Sequence, residues 1–354
     1  MIVYSRSTGL NNAAACKLET PIKMIIERES EKLSSQGGAL NALFNVEKSS
    51  RYGETIVGTN EFDVFTATEE GGGATSDTVM ETYRKFIEHI QFMKEFAISA
   101  DMMEDATFGI AADAKRRAEN FTRAYYKTMN KICECALANA TAIRTKFANA
   151  TIDLTAPDGK ALFSGSHIWG ANSGKSGSQS NYYFGNVVGS GTTSERVLST
   201  EIFEGSLYNL SVKMRNMLDE NGEPLGYDAD TIVLPGNRPA LESIVRKVCE
   251  SPFTPGTNLN DVNLHYGKWR VVVLPTWQAY DNRFILMSSE ANKALSGNMF
   301  FNRVPLTVTN WVDNHTGNYI WNGRCRFGVG FGSYKHAILA VDSAGSVNGA
   351  TALK

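Results

Sequence analysis

The chain of 354 residues carries 35 Lys plus Arg against 37 Asp plus Glu, a net charge of −2, with 42% hydrophobic and 20% charged residues. A sizeable core can be buried, which excludes wholesale disorder, and the near-neutral balance excludes a nucleic-acid binder held by bulk charge, leaving only local basic stripes. Cys16, Cys133, Cys135, Cys249 and Cys325 are odd in number and scattered, unlike a disulfide framework, so free thiols are expected. No uncharged apolar run reaches the ~18–20 residues needed to cross a bilayer. Met1–Tyr4 is followed at once by Ser5 and Arg6, so a soluble chain with no membrane partner and no export signal is expected.

Residues 1–50 hold a short amphipathic piece, Ile22 to Leu33, between polar stretches around Asn11-Asn12 and Ser34 to Gly38, and read as an arm. From Arg51 to Thr82 the pattern turns to alternation, with Ile56, Val57, Phe62, Val64 and Phe65 before a tip at Gly71-Gly72-Gly73 and Val79, Met80 and Tyr83 after it. That predicts a glycine-tipped β-hairpin. Its apolar content is too thin for a core of its own, and an isolated two-stranded hairpin is marginal in water, so it must lean on something.

Ala114, Ala118, Phe121, Tyr125, Met129, Ile132, Cys133, Ala136, Ala140, Ile143 and Phe147 keep a 3,4 stripe free of Gly and Pro, which predicts one helix through Phe147. Steps of 4, 3 and 4 repeat along Ala114, Tyr125, Ala136 and Phe147, an 11-residue unit that holds the stripe on one face of a nearly straight helix. Such a helix is ~50 Å long against a radius of gyration of ~20 Å for a compact chain of this size. Residues 151–195 are rich in Gly, Ser and Asn around an apolar island from Ala161 to Trp169, and read as a binding or interface loop. A helix capped by Thr192, Thr193 or Ser194 follows, with Phe203, Leu207, Leu210, Met214 and Met217 on its stripe and Asn221-Gly222 as its stop. Next come a strand at Thr231–Leu234, a helix from Asn237 and Pro239 to Cys249, and strands at Trp269–Leu274 and Phe284–Met287, a small α/β unit. The tail returns to β character at Leu306–Val312, Tyr319–Trp321, Arg326–Phe331 and Ala337–Val341.

Local chemistry is sparse. The stretch from Trp169 to Ser176 approaches a phosphate-binding loop, but its leading glycine is one residue out of register at Gly170 and no helix former follows. Cys133 and Cys135 are two apart on a helix, ~200° of rotation, so their thiols face opposite ways. His89, His167, His265, His315 and His336 show no ligand spacing, and no serine sits in a nucleophile elbow. The expectation is no catalytic residue, no metal and no cofactor; a Ser/His or Cys/His pair assembled in space stays open. Arg116, Arg123, Lys127 and Lys131 recur at 7, 4 and 4 opposite the apolar stripe; they read either as a solvated, ion-paired face or as a surface for packaged nucleic acid.

Arm, glycine-tipped hairpin, long helix, α/β unit and returning β segment, in that order, resemble a tailed-phage major capsid protein of the Hong Kong 97 type. Phe96 to Asp105 resembles the family's junction between hairpin and spine helix. Gly267 to Pro275 is similar to its Gly–strand–Pro segment in the axial domain, Arg324 to Val329 to its closing peripheral strand, and Asp158 to His167 to a loop of Mu-like head subunits. The resemblance implies an α+β Hong Kong 97-like fold with an N-terminal arm at 1–50, an extended loop at 51–101, a peripheral domain with the spine helix at 102–194 and 301–354, and an α/β axial domain at 195–300. It implies a shell of hexamers and pentamers, icosahedral, around viral double-stranded DNA, located in the virion and assembled in the host cytoplasm. Glu69, Glu70, Gly71, Gly72, Gly73, Phe62, Phe65 and Trp169 would meet neighbouring subunits, and Arg116, Arg123, Lys127 and Lys131 would face the lumen and touch DNA non-specifically. Partners would be other copies of the chain, a portal, a separate scaffolding protein in place of a built-in segment, and a decoration protein. Arg51–Tyr83 contains no lysine, so no covalent cross-linking through this loop is expected. The alternatives are an encapsulin-type compartment shell around cargo enzymes and a soluble α/β enzyme built on the unit at 230–290.

Overall fold

Two sheets, read from a computed structural model, organise the chain. The structure describes residues 3–4, 13–34, 38–59, 65–74, 76, 81–99, 101, 112–170, 177–192, 196–254 and 262–353. The first sheet is built on a long antiparallel ribbon of β16 (Asn298–Val312) and β17 (Tyr319–Phe331). β5 (Ile90–Ile98) lies antiparallel on the free side of β17, while β2 (Asn45–Lys48) and β1 (Val3–Tyr4) pair in parallel with successive stretches of β16. Tyr319–Trp321 and Arg326–Phe331, expected as separate strands, are one strand. The intervening Asn322-Gly-Arg-Cys325 pairs with β5 throughout, and with β16 except at Cys325, where the register shifts.

The long helix is α3 (Ala112–Ala138). Its stripe explains its seat: Ala114, Ala118 and Phe121 pack with Ile98, Leu306, Val308 and Trp321 of the sheet and with Ile22 and Ile26 of α1 (Ala13–Ser34). Further along, Met129, Ile132, Cys133 and Ala136 join Phe300, Phe327 and Phe331, together with α2 (Ala39–Leu43).

The helix expected through Phe147 ends at Ala138, which shortens it to ~40 Å. At the end Asn139 N still donates to Cys135 O at 3.2 Å, and the Asn139 side-chain amide joins it there at 3.0 Å. A hairpin follows, β6 (Arg144–Phe147) with β7 (Ala150–Asp153), around Ala148 and Asn149 at φ 46° and 68°, the two positive values a tight two-residue hairpin turn needs. Ala140 is still buried and the Phe147 ring still meets Phe92, at 6.2 Å. The 3,4 spacing thus continued to mark core-facing residues after the backbone had left the helix, and Ile143 alone falls to the surface.

The second sheet runs β14 (Arg270–Leu274), β13 (Thr231–Pro235), β15 (Arg283–Met287), β18 (Ala337–Asp342), β10 (Tyr182–Gly185) and β19 (Thr351–Ala352). Alternation sorts its side chains between two cores. Ile232, Leu234, Phe284, Leu286, Ile338 and Ala340 face α4 (Thr200–Arg215) and α5 (Pro239–Glu250). Val233, Ile285, Met287, Leu339 and Val341 face the core shared with α3 and the first sheet. This sheet draws β10 from the range 102–194, β13 to β15 from 195–300, and β18 and β19 from 301–354. β5, within 51–101, lies in the first sheet. The short α6 (Ser289–Ala294) is capped by the Ser288 side chain, which accepts from Ala291 N.

The stretch 151–195, expected as a loop, contains one small hairpin besides β10 and the first strand of another. β8 (His167–Trp169) pairs with β9 (Gly177–Gln179), and β11 (Gly189–Gly191) pairs with β12 (Arg196–Leu198). α4 therefore starts at Thr200 after Ser199 instead of at Thr192–Ser194, and it stops at Arg215 instead of Asn221-Gly222. Buried Asp342 anchors the β11–β12 hairpin: its Oδ1 accepts from Val187, Val188 and Gly189 N at 3.0, 3.2 and 3.1 Å, and Oδ2 from Arg196 Nε at 2.9 Å. Among the described residues no helix is long and apolar enough to cross a membrane.

Candidate assembly surfaces

The glycine-tipped hairpin pairs β3 (Gly53–Thr59) with β4 (Glu81–Glu88), Gly53 opposite Glu88 and Gly58 opposite Tyr83. Both glycines have a packing reason. A Cβ on Gly58 would lie 2.2 Å from Tyr83 Cε1 and one on Gly53 2.3 Å from Phe86 Cζ, so each ring covers bare backbone across the ladder. Along β4, Lys85 and Ile87 turn inward and Arg84, Phe86 and Glu88 outward. Ile87 packs with Met299 and Phe301 of β16.

The inward lysine is the tie to the rest of the chain. Lys85 Nζ, 8% exposed, donates to Asp153 Oδ2 at 2.6 Å and Thr155 Oγ1 at 2.5 Å, and Lys85 holds the half-exposed Asp153 carboxyl below its ordinary value against the opposing effect of burial. At the joint between β4 and β5, buried His89 Nε2 meets Ser49 Oγ at 2.7 Å, and the Ser49 hydroxyl reaches Glu54 Oε1 at 2.6 Å. Sequence reading missed this pair of anchors. Its signal was present: in the alternation Tyr83, Lys85, Ile87 a lysine occupies a core-facing strand position, which requires a buried partner.

Farther out, Ile56 still packs beside Ile87 and burial raises the Tyr83 hydroxyl to about 12, but the described residues of the outer face and of the tip are bare. Glu69, Glu70, Gly71, Gly72 and Gly73 are exposed, Phe65 is fully exposed, and Val57 and Phe86 are exposed on the strands. Gly72 N donates to Glu69 O at 2.8 Å with Gly71 at φ 86°, a turn that glycine makes without strain. Phe62 lies outside the described residues. Trp169 is half-buried, its indole laid over Gly177 and Gly222, where added Cβ atoms would come within 2.7 and 2.9 Å of the ring. Next to it Gly170 N donates to Glu220 Oε2 at 2.9 Å, and Glu220 Oε1 pairs with buried Lys335 at 2.8 Å.

The basic residues of α3 divide. Arg116 is paired with Asp113 at 2.6 Å and Arg123 with Glu29 of α1 at 2.7 Å. Lys127 and Lys131 instead line an open groove against β14.

The remaining candidates serve packing. His167 Nδ1 meets Asp158 at 2.7 Å, Nε2 meets Leu162 O at 3.1 Å, and the ring stacks on Tyr334 at 3.8 Å. His265 accepts from Trp269 Nε1 at 3.1 Å, and His336 meets Asn298 Oδ1 at 2.8 Å. His315 is exposed at the β16–β17 turn. Among the described residues the fold assembles the Ser/His pair Ser49–His89, but Glu54 bonds the serine and not the imidazole, and the serine is buried, an arrangement for a joint and not for a nucleophile. Cys133 is in the core and Cys135 Sγ lies 3.8 Å from Thr145 Oγ1 on the other side of the helix. Burial raises the Cys133 thiol well above its ordinary value and pushes those of Cys249 and Cys325 up to about 12. Residues 171–176 of the loop that approaches a phosphate-binding motif lie outside the described residues. Among the described residues no three His, Cys, Asp or Glu side chains converge as metal ligands.

A family profile described as phage capsid protein matches residues 82–340, from within β4 to within β18. The chain belongs to that family. No curated protein matches it in sequence. Among solved structures, the capsid of Myoviridae phage XM1 is similar at TM-score 0.51 and 14% identity, covering 87% of this chain and 93% of that one; this likeness establishes the Hong Kong 97-type capsid fold. The capsid of cyanophage P-SCSP1u aligns at TM-score 0.49 and 12% identity over 88% and 89% of the two chains. A virus-like particle from Pyrococcus furiosus aligns at 0.47 and 9% over 91% and 99%.

Proposed function

We propose that this phage capsid protein is the major head subunit and that its copies assemble as hexamers and pentamers into an icosahedral shell around double-stranded DNA. The observation that carries the reading is the hairpin. It is tied to its own chain along one face of β4, while Phe65, Val57, Phe86 and the tip from Glu69 to Gly73 are left in solvent. In an assembly the tip and Trp169 meet a neighbouring subunit, which supplies the apolar burial that one chain lacks. The chain's work is structural and not catalytic. Arg116 and Arg123 serve their own ion pairs first and DNA second, while Lys127 and Lys131 turn into the groove against β14. The expected partners are other copies, a portal, a separate scaffolding protein and a decoration protein, with assembly in the host cytoplasm. The arm is 1–50, the extended loop 51–101, the peripheral domain 102–194 with 301–354, and the axial domain 195–300, the last sharing its sheet with β10, β18 and β19.

Electron microscopy of the purified chain tests this. Closed particles of uniform diameter, holding nuclease-resistant DNA when taken from infected cells, are the expected result. Discrete small oligomers under every condition contradict it, and closed particles that hold enzyme cargo instead of DNA favour an encapsulin-type compartment.

A further inference from the structure

β14 is the outer strand of the second sheet, and among the described residues only β13 pairs with it. Arg270 N donates to Asp230 O at 2.8 Å and Leu274 O accepts from Gly236 N at 3.0 Å, so Arg270, Val272 and Leu274 turn their backbone groups toward β13. By the period of two, the N–H and C=O of Val271 and Val273 point off the sheet, without a partner among the described residues. Folded proteins commonly blunt such an edge with proline, a bulge or a covering segment. Here it opens on a groove of about 620 Å³ between β14 and α3. Glu134 closes one end, its Oε2 accepting from Thr276 N at 3.0 Å and from the Thr276 hydroxyl. At the other end stands α2, where Ala42 O accepts from Arg270 Nη1 at 3.5 Å and Leu40 N donates to Asn130 Oδ1 at 3.2 Å.

The charge in the groove is one-sided. Lys127, Lys131 and Arg270 line it, none of them ion-paired among the described residues, and the one acid in the lining, Glu134, is buried and committed to Thr276. Lys127 and Lys131 are one helical turn apart, ~6 Å along the axis, close to the ~6.6–6.8 Å between same-side residues of a strand.

We propose that this groove takes an extended acidic segment of a partner protein, added as a further strand on β14 with its alternate carboxylates on Lys127, Lys131 and Arg270. Main-chain bonds to Val271 and Val273 supply affinity and the cations select the sequence, the division of labour of strand addition. A DNA backbone would use the cations but has no donors for the free carbonyls of Val271 and Val273 and no use for the valine lining, so the peptide is favoured. The inference stands on the groove alone and does not need the shell reading.

The test is fluorescence anisotropy on the full-length chain with a labelled octapeptide alternating Glu and Val. Saturable binding is expected, weakened at least about tenfold by the double substitution Lys127→Glu and Lys131→Glu, as loss of two charge-assisted contacts requires. N-methylating the peptide backbone at one set of alternate residues should abolish binding, and at the other set should spare it; this arm uses the unaltered protein and does not depend on the variant folding. Absence of binding, equal binding by both N-methylated peptides, or a short DNA duplex that binds with the same lysine dependence and displaces the peptide would overturn the proposal. None of these outcomes bears on whether particles form.

Discussion

Along β18 every residue from Ala337 to Asp342 is buried, because one set of alternate side chains faces α4 and α5 and the other faces the core under α3. Along β3 and β4 one face alone is used: Ile56, Lys85 and Ile87 face the chain, while Val57 and Phe86 are exposed. Both are regular strands with a period of two, and they differ in what stands on either side. The second sheet is held by its own chain. The hairpin is fastened at Lys85, Ile87 and His89 and then projects, so its outer face and tip are available to another molecule. A subunit built this way can be stable alone and still depend on copies of itself to order its most exposed segment.

The sharpest way to break the comparison is to remove the tip. Deleting 67–73 should eliminate closed particles from electron micrographs while the subunit's thermal midpoint stays within about 2 °C, since the deleted residues bury nothing in their own chain. Normal particles from the deletion, or a collapsed midpoint, would show that the tip is not an assembly element.

Asp342→Ala strikes the other region. It strands Arg196 in the interior and frees three amides, so urea unfolding should report a loss of about 3–5 kcal/mol, against about 0.5 kcal/mol or less for Val57→Ala on the exposed hairpin face.

The pH dependence belongs to the second region too. His336 lies between the sheets, and burial pushes its imidazole down to about 4. The unfolded chain therefore takes up this proton first as the solution is acidified. The contribution is complete above the ordinary histidine value of ~6.5 and is lost as pH falls toward about 4, on the order of 3 kcal/mol in all. Subunit stability should fall over that window, and His336→Gln should flatten the slope; an unchanged slope in the variant would assign it to other groups.

A smaller effect than that of Asp342 concerns the fastening itself. Lys85→Met removes the contacts to Asp153 and Thr155 for about 1–2 kcal/mol. Amide exchange should quicken in β3 and β4 and leave β13, β15 and β18 as they were. Uniform quickening would mean that the hairpin is part of the main cooperative unit.

What was legible in the sequence was local. The α3 stripe as far as Ala136, the α/β unit at 231–287 and the glycine tip are each written within one segment, and each stands where its pattern put it. The end of α3 was hidden because Ala140 and Phe147 stay core-facing after the chain has turned into β6. Long-range pairings were hidden altogether. Nothing in Tyr182–Gly185 announces that it will lie beside Ala337–Asp342, and the role of Asp342 depends on amides more than 150 residues away. Of the candidate interface residues, Phe65 and the tip are as exposed as the pattern suggested, whereas Trp169 is half spent on Gly177 and Gly222 and two of the four α3 cations already have acids. Arg270, which completes the groove with Lys127 and Lys131, could not be joined to them by spacing because it comes from β14, far along the chain from α3.

Hydrogen–deuterium exchange compared between dilute subunit and assembled particle tests the central claim most directly. Amides of residues 65–74 and the outer part of β3–β4 should exchange rapidly in the subunit and become at least about a hundredfold slower in the particle, while β13, β15 and β18 change little. Equal protection of the tip in both states would mean that a single chain orders it unaided, and the account would fail.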